Sequence, residues 1–448
     1  MTHQPTPGNI PLVTRAQPAA HAPQFPPLPW FFAVWMAAAS LIAVAAGLVL
    51  GILAAAELGI GSSRWTQSVQ AHGRIQLFGL VATFVVALAL EFLVRFYGRP
   101  PFALRIRVGL PATLGAGALL MAAGQIWFEN VEFLAYAGAL LTLLGAVGFA
   151  VLVWRIPLDR PVRVDPQPLF FRGASAWLAI SAALALWGLA EAESGVVPLD
   201  ISYSVAEVFL RGFVTFIIIG IGLRAIVGHV GLPPLAANRQ LITYSILNMS
   251  LVAWLASAGL GDLDHLSWLE RAADATFAGG LLLFIAWFGV LPAIRRGRGG
   301  PRYALIVPLA WVGATTYAVL LLLTAVVPGG HDLNIYEDGA IRHTYLLGFV
   351  VPLMVAMAHI VLARFTIGFV PWENALTTGF YLLFAAWPLR TIPFLFEGTP
   401  STASRWLLSI AGFMAMAGLI LTATVCLRAA RLMALRLRPV PISRHALR

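Results

Sequence analysis

Residues 72–96 read HGRIQLFGLVATFVVALALEFLVRF, and from Ile75 to Leu90 no side chain carries a charge. A helix rises about 1.5 Å per residue and the hydrocarbon core of a bilayer is about 30 Å thick, so about 20 apolar residues in sequence suffice to cross it. Stretches of this kind recur twelve times, at roughly 29–56, 72–96, 108–128, 131–154, 173–191, 203–227, 240–260, 272–294, 303–327, 341–363, 374–396 and 403–427. The remaining composition agrees: of 448 residues, 60% are hydrophobic and 11% charged, where a soluble domain carries about 25% charged residues. A soluble globular protein is excluded. Alternating strands separated by hairpin turns do not recur, which argues against a membrane β-barrel. The expectation is an all-α polytopic membrane protein with about 12 transmembrane helices.

Residues 1–28 are rich in Pro, Gln, His and Thr and lack the basic start, apolar stretch and cleavage site of a secretory signal. They read as a disordered cytoplasmic tail before a transmembrane domain over 29–430, with a basic cytoplasmic tail over 431–448. The chain has no lysine, so its 29 basic residues are all arginine, against 19 acids, for a formal charge of +10. These arginines fall in short segments after even-numbered windows: Arg99, Arg105 and Arg107, then Arg155, Arg160, Arg163 and Arg172, then Arg295, Arg296, Arg298 and Arg302. The segments after odd-numbered windows carry Glu129 and Glu132, Glu191, Glu193 and Asp200, Asp262 and Asp264, and Asp332, Glu337 and Asp338. That asymmetry sets orientation in a bilayer, with both termini in the cytoplasm, and does not build a nucleic-acid-reading face. Trp30, Trp127, Trp154, Trp268 and Trp372 fall near window ends, as an interfacial belt requires. One cysteine, Cys426, permits neither a disulfide nor a thiolate cluster within the chain.

Three windows share a pattern centred on one glycine. The second has His72 seven residues before Gly79, the sixth has Glu207 five before Gly212, and the tenth has His343 five before Gly348. Gly79 and Gly212 are 133 residues apart and Gly212 and Gly348 are 136 apart, four windows in each step. Three parallel four-helix repeats follow, over about 29–155, 173–294 and 303–427, related by an axis along the membrane normal. The glycines are explained by close helix packing.

Among nine histidines, only His72, His343 and His359 belong to the windows. His359 lies about 24 Å along the helix from His343, so the two cannot share a site. His72 and His343 occupy similar depths in matching helices, where two neutral imidazoles can bind a haem iron from opposite sides. The plainer alternative is a pair of interfacial histidines bonded to loops or headgroups. Arg74 and Arg342 flank them and suit either haem propionates or surface anchoring. Glu207 and Arg211 have the i,i+4 spacing of an ion pair; Glu207 would otherwise be a proton acceptor or metal ligand. Glu91 and Arg224 would snorkel to the cytoplasmic surface.

The segment from Glu207 through Arg211-Gly212 to Gly222-Leu-Arg224-Ala-Ile-Val-Gly228-His229-Val-Gly231 resembles a signature of the NnrS family. Gly212, Arg224 and Gly228-His229-x-Gly231 match it, while Glu207 stands where the family usually has histidine. Ala71-His72-Gly-Arg74-Ile-Gln-Leu-Phe-Gly79 is similar to a second signature, with His72 matching its first histidine and Arg74 replacing its second. His343 again precedes Gly348 by five. The resemblance implies a twelve-helix protein of the bacterial cytoplasmic membrane that contains haem and copper and is linked to nitric oxide stress. The layout is also similar to the catalytic subunit of haem-copper oxidases and nitric oxide reductases, in which helices 2 and 10 ligate haem and helices 6 and 7 supply histidines to a second metal. Here helix 6 has Glu207 and helix 7 has no histidine. The resemblance therefore implies one b-type haem (haem b) on His72 and His343, with a redox donor or diatomic gas as partner, and leaves copper without an evident ligand set. Two alternatives stand beside it: a divergent oxidase-like enzyme that uses Glu207 at its metal, and a haem-free transporter in which Glu207, Arg211 and Glu91 form a path. Pro352 and Pro388 bear on the transporter as possible helix breaks.

Overall fold

The computed structural model describes residues 30–58, 63–157, 161–259, 267–297, 300–327, 333–366, 370–396 and 401–436. The expected N-terminal tail, most of the C-terminal one, and Arg160, Asp262, Asp264, His265, Arg298, His331 and Asp332 lie outside the described residues. The long helices are α1 (Trp30–Ala55), α2 (Trp65–Phe96), α3 (Leu104–Ile126), α4 (Phe128–Arg155), α5 (Gln167–Ala190) and α6 (Leu199–Val230), then α7 (Ala237–Gly259), α8 (Ser267–Phe288), α9 (Tyr303–Val326), α10 (Ile335–Phe365), α11 (Glu373–Phe396) and α12 (Thr402–Arg436). Among the described residues, 11 helices are long and apolar enough to cross a membrane. The remaining one, α11, has 24 residues and carries Pro388, Arg390 and Pro393, which lower its hydropathy without shortening it. The only strand-like pairing among the described residues is an isolated bridge between Glu193 and Val196. The protein is an all-α, multi-pass membrane protein.

Helix α4 shows why lipid is the solvent. Phe133, Leu140, Leu144, Val147, Val151 and Trp154 are exposed along one face, while Ala135, Gly138, Ala139, Thr142, Gly145, Ala146 and Phe149 are buried along the other. An apolar stripe of that length is not left facing water in a soluble monomer. Small residues turn inward because helices in lipid gain by close packing rather than by hiding apolar surface. Trp127, Trp154, Trp268 and Trp372 are exposed near helix ends, where an interfacial belt lies.

Helices α2, α6 and α10 form the centre: 94%, 67% and 83% of their apolar windows are buried, against 33–56% in the other helices measured in the same way. Outer helices join in three arcs, α3–α4–α5, α7–α8–α9 and α11–α12–α1. The inner three meet directly. Phe78 of α2 packs edge-on to Phe209 of α6 at 5.2 Å between ring centroids, and Thr215 of α6 shares a 2.7 Å hydrogen bond with the Tyr345 hydroxyl of α10.

Each inner helix contains a π-helical stretch, Ile75–Ala82, Val208–Val214 and Leu346–Val350, and each holds one repeat glycine. A π turn widens the helix and loosens its carbonyls, and it is frequent at functional sites. The hydroxyls of Thr83 and Thr215 reach back five residues to Phe78 O (3.0 Å) and Leu210 O (2.9 Å) and satisfy two of those carbonyls. His72, Glu207 and His343 each lie within three residues N-terminal to a π stretch.

The inner helices start earlier than the apolar windows indicate, at Trp65, Leu199 and Ile335 in place of 72, 203 and 341. Their polar first turns are satisfied internally. Gln70 donates to Val197 O (2.7 Å) and accepts from Val197 N (3.0 Å) and Gln125 Nε2 (2.7 Å), and a capping box of Asn334 and Glu337 starts α10. His72, Glu207 and His343 consequently sit about two turns inside their helices. At the other end of the chain α12 continues to Arg436, so the first residues of the expected basic tail are helical. Glu91 is also corrected: it does not reach the surface but is 5% exposed, 3.0 Å from Arg107 of α3 and 3.7 Å from Arg95.

Helices α9 and α10 approach so closely that a Cβ on Gly313 would fall on the Gly348 carbonyl. Gly313→Leu is expected to destabilise the protein by about 3 kcal/mol, the upper end of ordinary overpacking, because backbone must move. Gly279→Leu, with nothing within 4 Å of its Cβ position, is the control. Melting of the detergent-solubilised variants checks this, and equal melting temperatures would contradict it.

Candidate functional site

His72 of α2 and His343 of α10 stand ring to ring, with centroids 6.4 Å apart and planes 13° from parallel. Each is held from behind. His72 Nδ1–H donates to Gly47 O of α1 at 2.7 Å, and His343 Nδ1–H donates to Gly339 O one turn earlier at 2.6 Å. Gly47 lies in a π-helical stretch of α1, Ala43–Leu48. Room for the His72 ring exists because residue 51 is glycine: a Cβ there would lie 2.7 Å from Nδ1. With Nδ1 protonated and bonded to a carbonyl, Nε2 keeps its lone pair, the arrangement that fixes a ligating imidazole. Two metal–nitrogen bonds of about 2 Å each, with about 1 Å from nitrogen to ring centre on either side, put two ring centres roughly 6 Å apart. The observed centroid separation is of that size.

Both histidines border a cavity of about 600 Å³, within the range of small-molecule and cofactor sites. On its α6 side lies a buried charge network. Arg211, 2% exposed, forms an ion pair with Asp274 of α8, and its Nε lies 2.6 Å from Glu207 Oε2, off-axis for a hydrogen bond. Its guanidinium also sits over the rings of Trp254 and Phe277 at 5.5 and 5.6 Å. Arg342 pairs with Asp338 one turn before it and lies 3.9 Å from the second Glu207 oxygen. Glu207 is thereby flanked by two arginines, and the expected Glu207–Arg211 contact is present.

Two further guanidiniums reach the cavity without a carboxylate partner among the described residues. Arg74, 4% exposed, donates to Gln125 Oε1 at 2.8 Å and leaves Nη2 buried without a hydrogen bond. Arg390 of α11 leaves Nη1 in the same state and extends to within 4.0 Å of the Gly339 Cβ position, beside the carbonyl that holds His343. Arg74 and Arg342, the pair expected to meet acidic ligand groups, both border the cavity, where Arg342 is also engaged by Asp338 and Glu207; Arg390 borders it as well. Asp274 and Arg390 had not been singled out from the sequence, although a search for ionisable residues inside apolar windows finds both.

The other motif positions are structural. The Cβ positions of Gly79, Gly212 and Gly348 lie 2.9 Å from Ile42, 2.6 Å from Trp177 and 2.8 Å from Trp387, so each glycine admits a side chain from an outer helix. Arg224 and His229 are at the opposite end of α6 and do not border the cavity. Arg224 donates to Phe96 O at 2.6 Å and Asp165 Oδ2 at 2.7 Å. His229 Nδ1–H donates to Ala225 O at 2.7 Å, and Gly231, with φ 71°, closes the helix in the left-handed conformation. Among the described residues no three or more His, Cys, Asp or Glu side chains converge on a point that would hold a metal ion. The chain matches no family model and no curated sequence.

Proposed function

We propose that the protein is a haem-binding membrane protein that acts in redox chemistry or in the response to nitric oxide at the bacterial cytoplasmic membrane, as its resemblance to the NnrS family implies. The observation that carries the reading is the His72–His343 pair, with parallel rings 6.4 Å apart on a cavity of about 600 Å³. His72 and His343 would hold a b-type haem through its iron. Arg74 and Arg390, the cavity guanidiniums without acidic partners among the described residues, would neutralise its carboxylates. A bis-histidine haem supplies one-electron exchange with a redox donor. The chain's own part is to fix both imidazole tautomers through Gly47 and Gly339, to exclude water with the packed inner helices, and to hold Glu207 between Arg211 and Arg342. No three or more His, Cys, Asp or Glu among the described residues converge beside the histidine pair to hold a second metal such as copper, so no oxygen-reducing centre is proposed. The arginine distribution supports a topology with both termini in the cytoplasm and the histidine pair near the opposite surface. Haem per chain, measured on protein purified from haem-replete cells, tests the reading: about one supports it, and none overturns it.

A further inference from the structure

The histidine that the haem reading leaves aside lies at the other end of α10. His359 is 2% exposed, and neither of its ring nitrogens has a hydrogen-bond partner. A buried polar atom without a partner is costly, and two on one ring are uncommon. The ring borders a second cavity, of about 540 Å³, together with Tyr303, Trp372, Glu373 and Asn374. Across it the half-exposed carboxylate of Glu373, the first residue of α11, places Oε1 3.4 Å from His359 Nε2, in a geometry that makes no hydrogen bond. Two ligand atoms each about 2.1 Å from a tetrahedral zinc ion lie about 3.4 Å apart. Imidazole nitrogen with carboxylate oxygen is a donor set suited to a divalent ion of that class.

We propose that His359 and Glu373 bind a divalent transition-metal ion of the zinc type in this second cavity, at the arginine-rich end of the bundle. His359 Nε2 and one Glu373 oxygen supply the protein ligands. No third His, Cys, Asp or Glu joins them among the described residues, so water or a donor from solution completes the shell and the ion exchanges readily. Arg302, with Nε 3.9 Å from the same Glu373 oxygen, competes with the ion for the carboxylate and keeps its affinity moderate.

The test uses the full-length, chelator-stripped protein in detergent, titrated with Zn²⁺ alone by calorimetry and with Co²⁺ alone by absorption. The wild type is expected to show a saturable site and the d–d bands of four-coordinate cobalt. His359→Ala should abolish both, and Glu373→Gln, at a half-exposed position whose change leaves the fold intact, should weaken binding at least tenfold. His72→Ala should bind as wild type, which separates this site from the haem proposal. Absence of saturable binding in the wild type, or binding unchanged in both His359→Ala and Glu373→Gln, overturns the proposal.

Discussion

Arg211→Leu is expected to lower the stability of the folded protein by about 3–5 kcal/mol, the loss that follows when one partner of a buried ion pair is removed. The leucine fills much of the volume, so the loss is electrostatic: Glu207 and Asp274, 2% and 3% exposed, are left as buried carboxylates facing one another's charge. Arg342, at 3.9 Å from Glu207 and already engaged by Asp338, is too distant to compensate for both. The triple variant Arg211→Leu, Glu207→Gln, Asp274→Asn should regain more than half of the loss, because no net charge then remains to be buried. Thermal unfolding of the variants in detergent measures both effects. A single variant within 1 kcal/mol of wild type, on the order of a surface ion pair, would show that the network is solvated.

The second large effect concerns the histidine pair. His72→Ala and His343→Ala should each lower haem affinity at least about tenfold, since even the partners behind a ligand are worth about 10–100-fold. Any haem that remains would be held by a single histidine, so carbon monoxide should shift the reduced spectrum of either variant and leave the wild type unchanged. Gly51→Ala, whose methyl would meet the His72 ring at 2.7 Å, should lower haem content with both histidines present. Carbon monoxide binding by the wild type equal to that of the variants would contradict paired ligation.

Much of the fold was readable in the sequence because lipid demands the same thing of every crossing. Long apolar windows marked the helices, and only their ends were misplaced. Those differences have one origin: Gln70, Glu337 and Arg431 look like residues outside a membrane, yet each belongs to a helix, the first two satisfied by internal hydrogen bonds. Glu91 failed for a related reason, since nothing local announces that Arg107 arrives from the next helix. In the candidate site, the glycine-centred pattern was enough to bring His72, Glu207 and His343 forward, because residues at matching positions of inner helices face the same space. Asp274 and Arg390 lie on outer helices outside that pattern, and only packing reveals that they point inward. Arg342 meets Asp338 of its own helix and Glu207 of α6, and only the second of these contacts needs the packing to be seen.

The central claim, that His72 and His343 hold a haem between them, is tested most directly by the reduced-minus-oxidised visible spectrum of purified wild-type protein beside His72→Ala and His343→Ala. The account predicts a b-type haem band in the wild type that shifts or vanishes in both variants. A wild type without a haem band, or a band that neither substitution alters, would contradict it.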